Sequence, residues 1–129
     1  MKTIAGWHLI VDGYVQDPRA LNSPEHLVSM MDALVDALGM QYLQRPQCMR
    51  VQQDPRKLST DADDGGWSVV CQITTSHIAI HTWPLRCAFM MDVFSCKEFD
   101  GELAKNVVFE QLGVEEAVCT FTERKGPHR

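Results

Sequence analysis

Apolar and β-favouring side chains run through residues 7–15, with the Asp12–Gly13 pair near the end, and the pattern predicts a first strand. The period then changes. Ser23 is suited to cap a helix and Pro24 to open its first turn. Leu27, Met31, Leu34, Val35 and Leu38 recur at helical spacing until Gly39 supplies a stop. These residues form one stripe to bury, with Met30–Met31 read as core packing and His26, Asp32 and Asp36 on or near the wet side. Residues 42–53 predict a second strand that Pro46 confines to an edge or bends. Residues 54–66 read as loop, holding Pro55, Asp61, Asp63, Asp64 and two glycines. Residues 67–74, 77–83 and 86–95 follow as three strands. Asp100 caps a second helix carrying Leu103, Val107, Val108 and Leu112, and Gly113 closes it. Residues 116–123 give a last strand, and the tail from Gly126 frays.

Two amphipathic helices cover only one face of such a sheet. The order therefore predicts an α+β fold, a two-layer sandwich with a mostly antiparallel sheet and both helices on one face. The uncovered face calls for a partner. With 129 residues the chain is read as a single domain over residues 1–129.

Composition narrows the class. Apolar residues at 45% and charged residues at 22% are ordinary globular values. A net charge of −5 argues against a nucleic-acid partner, which needs a basic face, and suits a small cationic substrate. No apolar run reaches membrane-spanning length and no signal-peptide pattern opens the sequence, so no membrane association is expected. The cysteines Cys48, Cys71, Cys87, Cys96 and Cys119 are odd in number and form no C-x-x-C, which points to a reducing cytoplasm and to most thiols being small buried hydrophobes.

The densest chemistry lies in ITTSHIAIHTWPLRCAFMMDVFSC, from Ile73 to Cys96. The run Ser76-His77-Ile78-Ala79-Ile80-His81-Thr82-Trp83-Pro84, followed by Asp92-Val93-Phe94-Ser95-Cys96, resembles the self-processing centre of prokaryotic S-adenosylmethionine decarboxylases. The resemblance implies a two-layer α/β fold, a homodimer, and a pyruvoyl cofactor made from Ser76 by cleavage between Thr75 and Ser76. It further implies that the pyruvoyl carbonyl forms a Schiff base with a substrate amine and accepts electrons as carbon dioxide leaves. By the same resemblance His81 removes the serine α-proton during processing, Ser68 assists, and Cys96 returns a proton to the product carbon. Each residue also has a plainer reading. Ser76 and Ser68 can be turn residues, His81 a structural strand histidine and Cys96 a packing thiol.

Two geometric points bear on this reading. A zinc pair of His77 and His81 fails, because four strand residues span about 13 Å, too far for one ion at about 2 Å from each nitrogen, so no metal is expected. In an unbroken strand Ser76 and His81 point to opposite faces, so the processing role requires a turn at Thr75–Ser76.

Three positions depart from the family pattern. Thr75 and Leu85 each stand where Glu is usual, and the 54–66 loop has no aromatic to stack on adenine. The expected activity is decarboxylation of S-adenosylmethionine for spermidine synthesis. A pyruvoyl-dependent ornithine or arginine decarboxylase and an unprocessed, non-enzymatic paralogue remain as alternatives.

Overall fold

The computed structural model describes residues 3–52 and 65–127. Strand β1 (Ala5–Val15) leads through a 3-10 turn (Pro18–Leu21) to helix α1 (Pro24–Ala37) and strand β2 (Tyr42–Val51). Strands β3 (Gly66–Ile73) and β4 (Ser76–Trp83) form a hairpin. A second 3-10 turn (Pro84–Arg86) precedes β5 (Ala88–Ser95), helix α2 (Gly101–Leu112) and β6 (Val114–Lys125). The sheet order is β2-β3-β4-β5-β1-β6, antiparallel at every step.

Local chemistry sets the helix limits. Ser23 Oγ accepts the His26 backbone N–H at 3.2 Å, and an Asp100 carboxylate oxygen accepts that of Leu103 at 3.1 Å. Gly113 ends α2 at φ +65°. The helices are tied where His26 Nε2 donates to the Gln111 carbonyl at 2.6 Å, so His26 is half-buried rather than wet.

Strand alternation produces two unlike faces. Leu9, Val11, Val69, Cys71, Ile73, Ile78, Ile80, Phe89, Met91 and Val93 pack beneath Leu27, Met30, Met31 and Leu34 of α1 and Ala104, Val108 and Leu112 of α2. The other face carries His8, Ile10, Asp12, Tyr14, Ser68, Val70, His77, Ala79, His81, Met90, Asp92 and Phe94, and neither helix covers it.

Several expectations change. Leu103 is exposed and Ala104 takes its place in the core, because the Asp100 cap sets that helical phase. Only Cys71 is buried and Cys87 half-buried; Cys48 and Cys119 lie exposed on edge strands, and Cys96 is exposed past the end of β5. Gly126 does not fray, since its N–H donates to the Ile4 carbonyl at 2.6 Å. Arg86 belongs to the 3-10 turn and not to β5, which starts after Cys87 adopts φ +53°. Pro46 does mark an edge strand, flanked by register shifts. The aspartates of the 54–66 stretch fall outside the described residues.

Candidate active site

Ser68 and His81 are direct cross-strand partners on β3 and β4, and Ser68 Oγ lies 2.8 Å from His81 Nδ1. One imidazole nitrogen is thereby fixed by a hydroxyl, leaving Nε2 for proton exchange on the open face. The pair is held from below. The Thr82 hydroxyl, almost fully buried, accepts the Trp67 backbone N–H at 3.0 Å and donates to the Leu21 carbonyl at 2.9 Å. That locks the residues adjoining Ser68 and His81 to the loop before α1. His81, Ile10, Asp12, Ala79, Met90, Met91 and Asp92 line a shallow hollow of about 240 Å³.

Ser76 sits at the far end of β4. It pairs with Ile73 on β3 and Ser95 on β5, so it is already a strand residue. The turn lies one position earlier than the processing role required, at Thr74–Thr75, with Thr75 at φ +55°. Ser76 consequently shares the parity of Ile78 and Ile80, whereas His81 faces the other way. Five strand residues also separate them by roughly 16 Å. One protomer does not bring Ser76 and His81 together. The Ser76 hydroxyl instead donates to the Thr74 carbonyl at 3.2 Å.

Cys96 falls at the Ser76 end of the sheet, one residue beyond the Ser76–Ser95 pair. Buried Ser95 accepts the Lys97 N–H at 3.0 Å and fixes the bend that presents Cys96. The predicted residues therefore form two groups: Ser68 with His81 at one end of the sheet, and Ser76 with Cys96 at the other.

A third group had no role assigned from the sequence. Asp92 accepts from His8 Nε2 at 2.9 Å, and His77 Nε2 lies 3.7 Å from the same oxygen. The Phe94 ring packs against both imidazoles, with centroids 5.9 Å and 5.6 Å away, and the Arg124 guanidinium lies 4.9 Å from its centre. This cluster adjoins Ser76 through His77. Its sequence signal was the strand alternation of His8, Ile10 and Asp12, which places His8 opposite Phe94 once β1 pairs with β5. Leu85 lies exposed in the 3-10 turn and lines a hollow with Pro18, Arg19 and Asn22, near the His81 end of β4.

The residues fit a self-made pyruvoyl group. A serine follows a left-handed residue at a hairpin tip, with a thiol beside it and a hydroxyl–imidazole pair on the same sheet. Among the described residues no group of three or more potential ligands could hold a metal, and no helix is long and apolar enough to cross a membrane.

Comparison with known proteins agrees with this architecture. The chain is 28% identical to the arginine decarboxylase proenzyme of Ignicoccus hospitalis over 127 residues, covering 98% of this chain and 81% of that protein. It is 26% identical to an S-adenosylmethionine decarboxylase proenzyme of Clostridium botulinum over 118 residues, covering 87% and 91%. The crystal structure of the adenosylmethionine decarboxylase from Aquifex aeolicus superposes with a TM-score of 0.72 at 23% identity, over 100% of this chain and 96% of that one, and shares the fold. The sequence model of S-adenosylmethionine decarboxylase matches residues 7–125. The chain thus belongs to the S-adenosylmethionine decarboxylase family, a family of carboxy-lyases.

Proposed function

We propose that the chain cuts itself between Thr75 and Ser76 and uses the new terminus, a pyruvoyl group, to decarboxylate S-adenosylmethionine. The observation that carries this is the Ser68–His81 pair, a proton-transfer couple held at 2.8 Å on the open face of a sheet whose other end presents Ser76 and Cys96.

The first step is an acyl shift. Ser76 Oγ attacks the Thr75 carbonyl carbon, the bond to the Ser76 nitrogen breaks, and the hydroxyl proton passes to that nitrogen, leaving an ester. His81 then removes the Ser76 α-proton. The Cβ–Oγ bond breaks, Thr75 departs as a carboxylate, and residue 76 becomes dehydroalanine. Water replaces its nitrogen, which leaves as ammonia. The pyruvoyl carbonyl at position 76 supplies the electron sink for decarboxylation. Cys96 protonates the product carbon on this reading, supported by its position one residue beyond the Ser95 partner of Ser76.

The separation of Ser76 from His81 within one protomer supports a homodimer. The open face is apolar enough to be covered: Tyr14, Val70, Met90 and Val118 are between 41% and 72% exposed. A second copy laid on that face in the opposite sense brings its Ser68–His81 end to the end of the sheet that holds Ser76 and Cys96. Such a dimer, acting in the cytoplasm on a small cationic substrate, supplies spermidine synthesis.

A second reading has its own support. Leu85 stands where Glu is usual and lacks the carboxylate that could accept a hydrogen bond from a nucleoside hydroxyl, and the arginine decarboxylase proenzyme of Ignicoccus hospitalis aligns along almost the whole chain. On this reading the same machinery decarboxylates arginine or ornithine. Intact-mass analysis of the purified protein tests the processing: two fragments are expected, the smaller carrying the pyruvoyl group. A chain that stays whole on incubation refutes the mechanism and favours a non-enzymatic paralogue. Carbon dioxide release from S-adenosylmethionine, arginine and ornithine in parallel then assigns the substrate.

A further inference from the structure

Thr75 has φ +55°, and among the described residues it is the one β-branched side chain in the left-handed region. It occupies the second position of the two-residue turn closed by the Ile73–Ser76 pair. A positive φ at that position is normally met by glycine or asparagine. Branching at Cβ makes threonine a poor substitute, because its side chain crowds the neighbouring carbonyl. Elsewhere the chain does use glycine for this conformation: Gly39 and Gly113 adopt φ +64° and +65° at helix ends. The exceptions are Cys87, unbranched and beside a 3-10 turn, and Thr75, which sits on the peptide bond to be cut.

The turn is also arranged to wait. The Thr74 carbonyl accepts both nearby hydroxyls, from Thr75 at 2.7 Å and from Ser76 at 3.2 Å. The nucleophile is thus parked one carbonyl away from its target. The ladder on either side keeps the hairpin closed, so Thr75 cannot relax while the chain is whole.

We propose that Thr75 is a positioning residue for self-cleavage: strain held in its left-handed backbone is released as the Thr75–Ser76 peptide opens, and that release speeds the acyl shift. This rests on the self-processing reading. As the carbonyl carbon becomes tetrahedral and the Ser76 nitrogen departs, Thr75 stays tied to residue 76 only through the longer, more flexible Oγ–Cβ ester link, and φ can relax towards negative values. Only strain lost by the transition state contributes to rate. The step is the one already written, in which the Oγ–C bond forms, the C–N bond breaks and the hydroxyl proton moves to nitrogen.

The test compares the self-cleavage rates of the unmodified chain with those of Thr75→Val, Thr75→Asn and Thr75→Gly. Valine keeps the branch and drops the hydroxyl, so it should cut at the parental rate. Asparagine and glycine tolerate the conformation and should cut more slowly, by roughly 5- to 30-fold. Hydroxylamine, which cleaves esters, should trap correspondingly less chain in those two variants. In the uncuttable Ser76→Ala background, Thr75→Asn should raise the melting temperature, because the folded state then lacks the strain. Asparagine cutting as fast as threonine, valine cutting as slowly as glycine, or a lower melting temperature for Thr75→Asn each overturns the proposal. An unmodified chain that never cuts overturns the self-processing reading and this proposal with it.

Discussion

Gly66→Ala joins fold and site more directly than any other single change. Gly66 opens β3 two residues before Ser68, at the crossing with the end of β4. A Cβ there would lie 1.8 Å from the Thr82 carbonyl oxygen, 2.7 Å from its carbon and 3.0 Å from Pro84 Cδ. These are backbone and ring atoms, so no rotamer change relieves the overlap. Thr82 cannot yield either, because its buried hydroxyl is bonded to both Trp67 and Leu21. Strand β3 must move, and Ser68 moves with it. Overpacking where side chains can adapt costs about 1–3 kcal/mol, so a clash with fixed backbone should cost at least about 3 kcal/mol. Urea titration in the Ser76→Ala background reads this as a lower midpoint at unchanged m-value. Gly113→Ala is the control. No atom lies within 4 Å of its new methyl, so only the left-handed conformation is penalised, by about 1–2 kcal/mol. If Gly66→Ala costs less than Gly113→Ala, the clash argument is wrong. In the cleavable chain the same substitution should slow self-cleavage by displacing Ser68 from His81.

Thr82→Val should cost about 1–3 kcal/mol in the same denaturation assay, because it strands the Trp67 N–H and the Leu21 carbonyl. His81→Ala should slow self-cleavage by about 10²- to 10⁴-fold by intact mass, the span typical of a lost acid–base group, and a parental rate would remove His81 from the mechanism. Cys96→Ala should leave cleavage intact and impair carbon dioxide release; full turnover would remove that exposed thiol from the mechanism. Burial pushes the Cys71 thiol up to about 11 from an ordinary 9.0. The unfolded thiol ionises first, so stability is complete below pH 9 and falls as pH rises towards 11, by at most about 1.4 kcal/mol per unit. Cys71→Val should flatten that part of the stability profile relative to the parent, and an unchanged slope would refute the assignment.

The helices were legible because their caps and stripes are local: Ser23, Asp100 and the i, i+3, i+4 apolar residues act within a few residues of one another. The edge position of β2 was legible through Pro46 alone. The Ser68–His81 contact was not, since it depends on the register of the β3–β4 hairpin, which the turn at Thr74–Thr75 fixes. No residue there advertises a turn, because threonine is a poor left-handed residue. That same misfit placed Ser76 inside β4 and on the opposite parity from His81. The His8–Asp92–His77 cluster was equally hidden, for His8 and Asp92 meet only when a strand from the start of the chain inserts beside β5. Thiol exposure was misjudged because burial depends on a strand's place in the sheet, which side-chain chemistry does not encode.

The strand order carries a consequence for what would remain after the proposed cut. Severing Thr75–Ser76 assigns β1, α1, β2 and β3 to one fragment and β4, β5, α2 and β6 to the other. These do not occupy separate halves of the sheet. β1 of the first fragment is threaded between β5 and β6 of the second and is hydrogen-bonded along both edges, while β3 pairs with β4 across the cut. The fragments are interleaved like the fingers of two hands. Separating them means withdrawing an interior strand and exposing Leu9 and Val11 from the core, a disruption on the scale of unfolding. The nicked protein should therefore migrate as one species in any native separation and fall into two only in denaturant, so the proposed cut would cost the scaffold almost nothing.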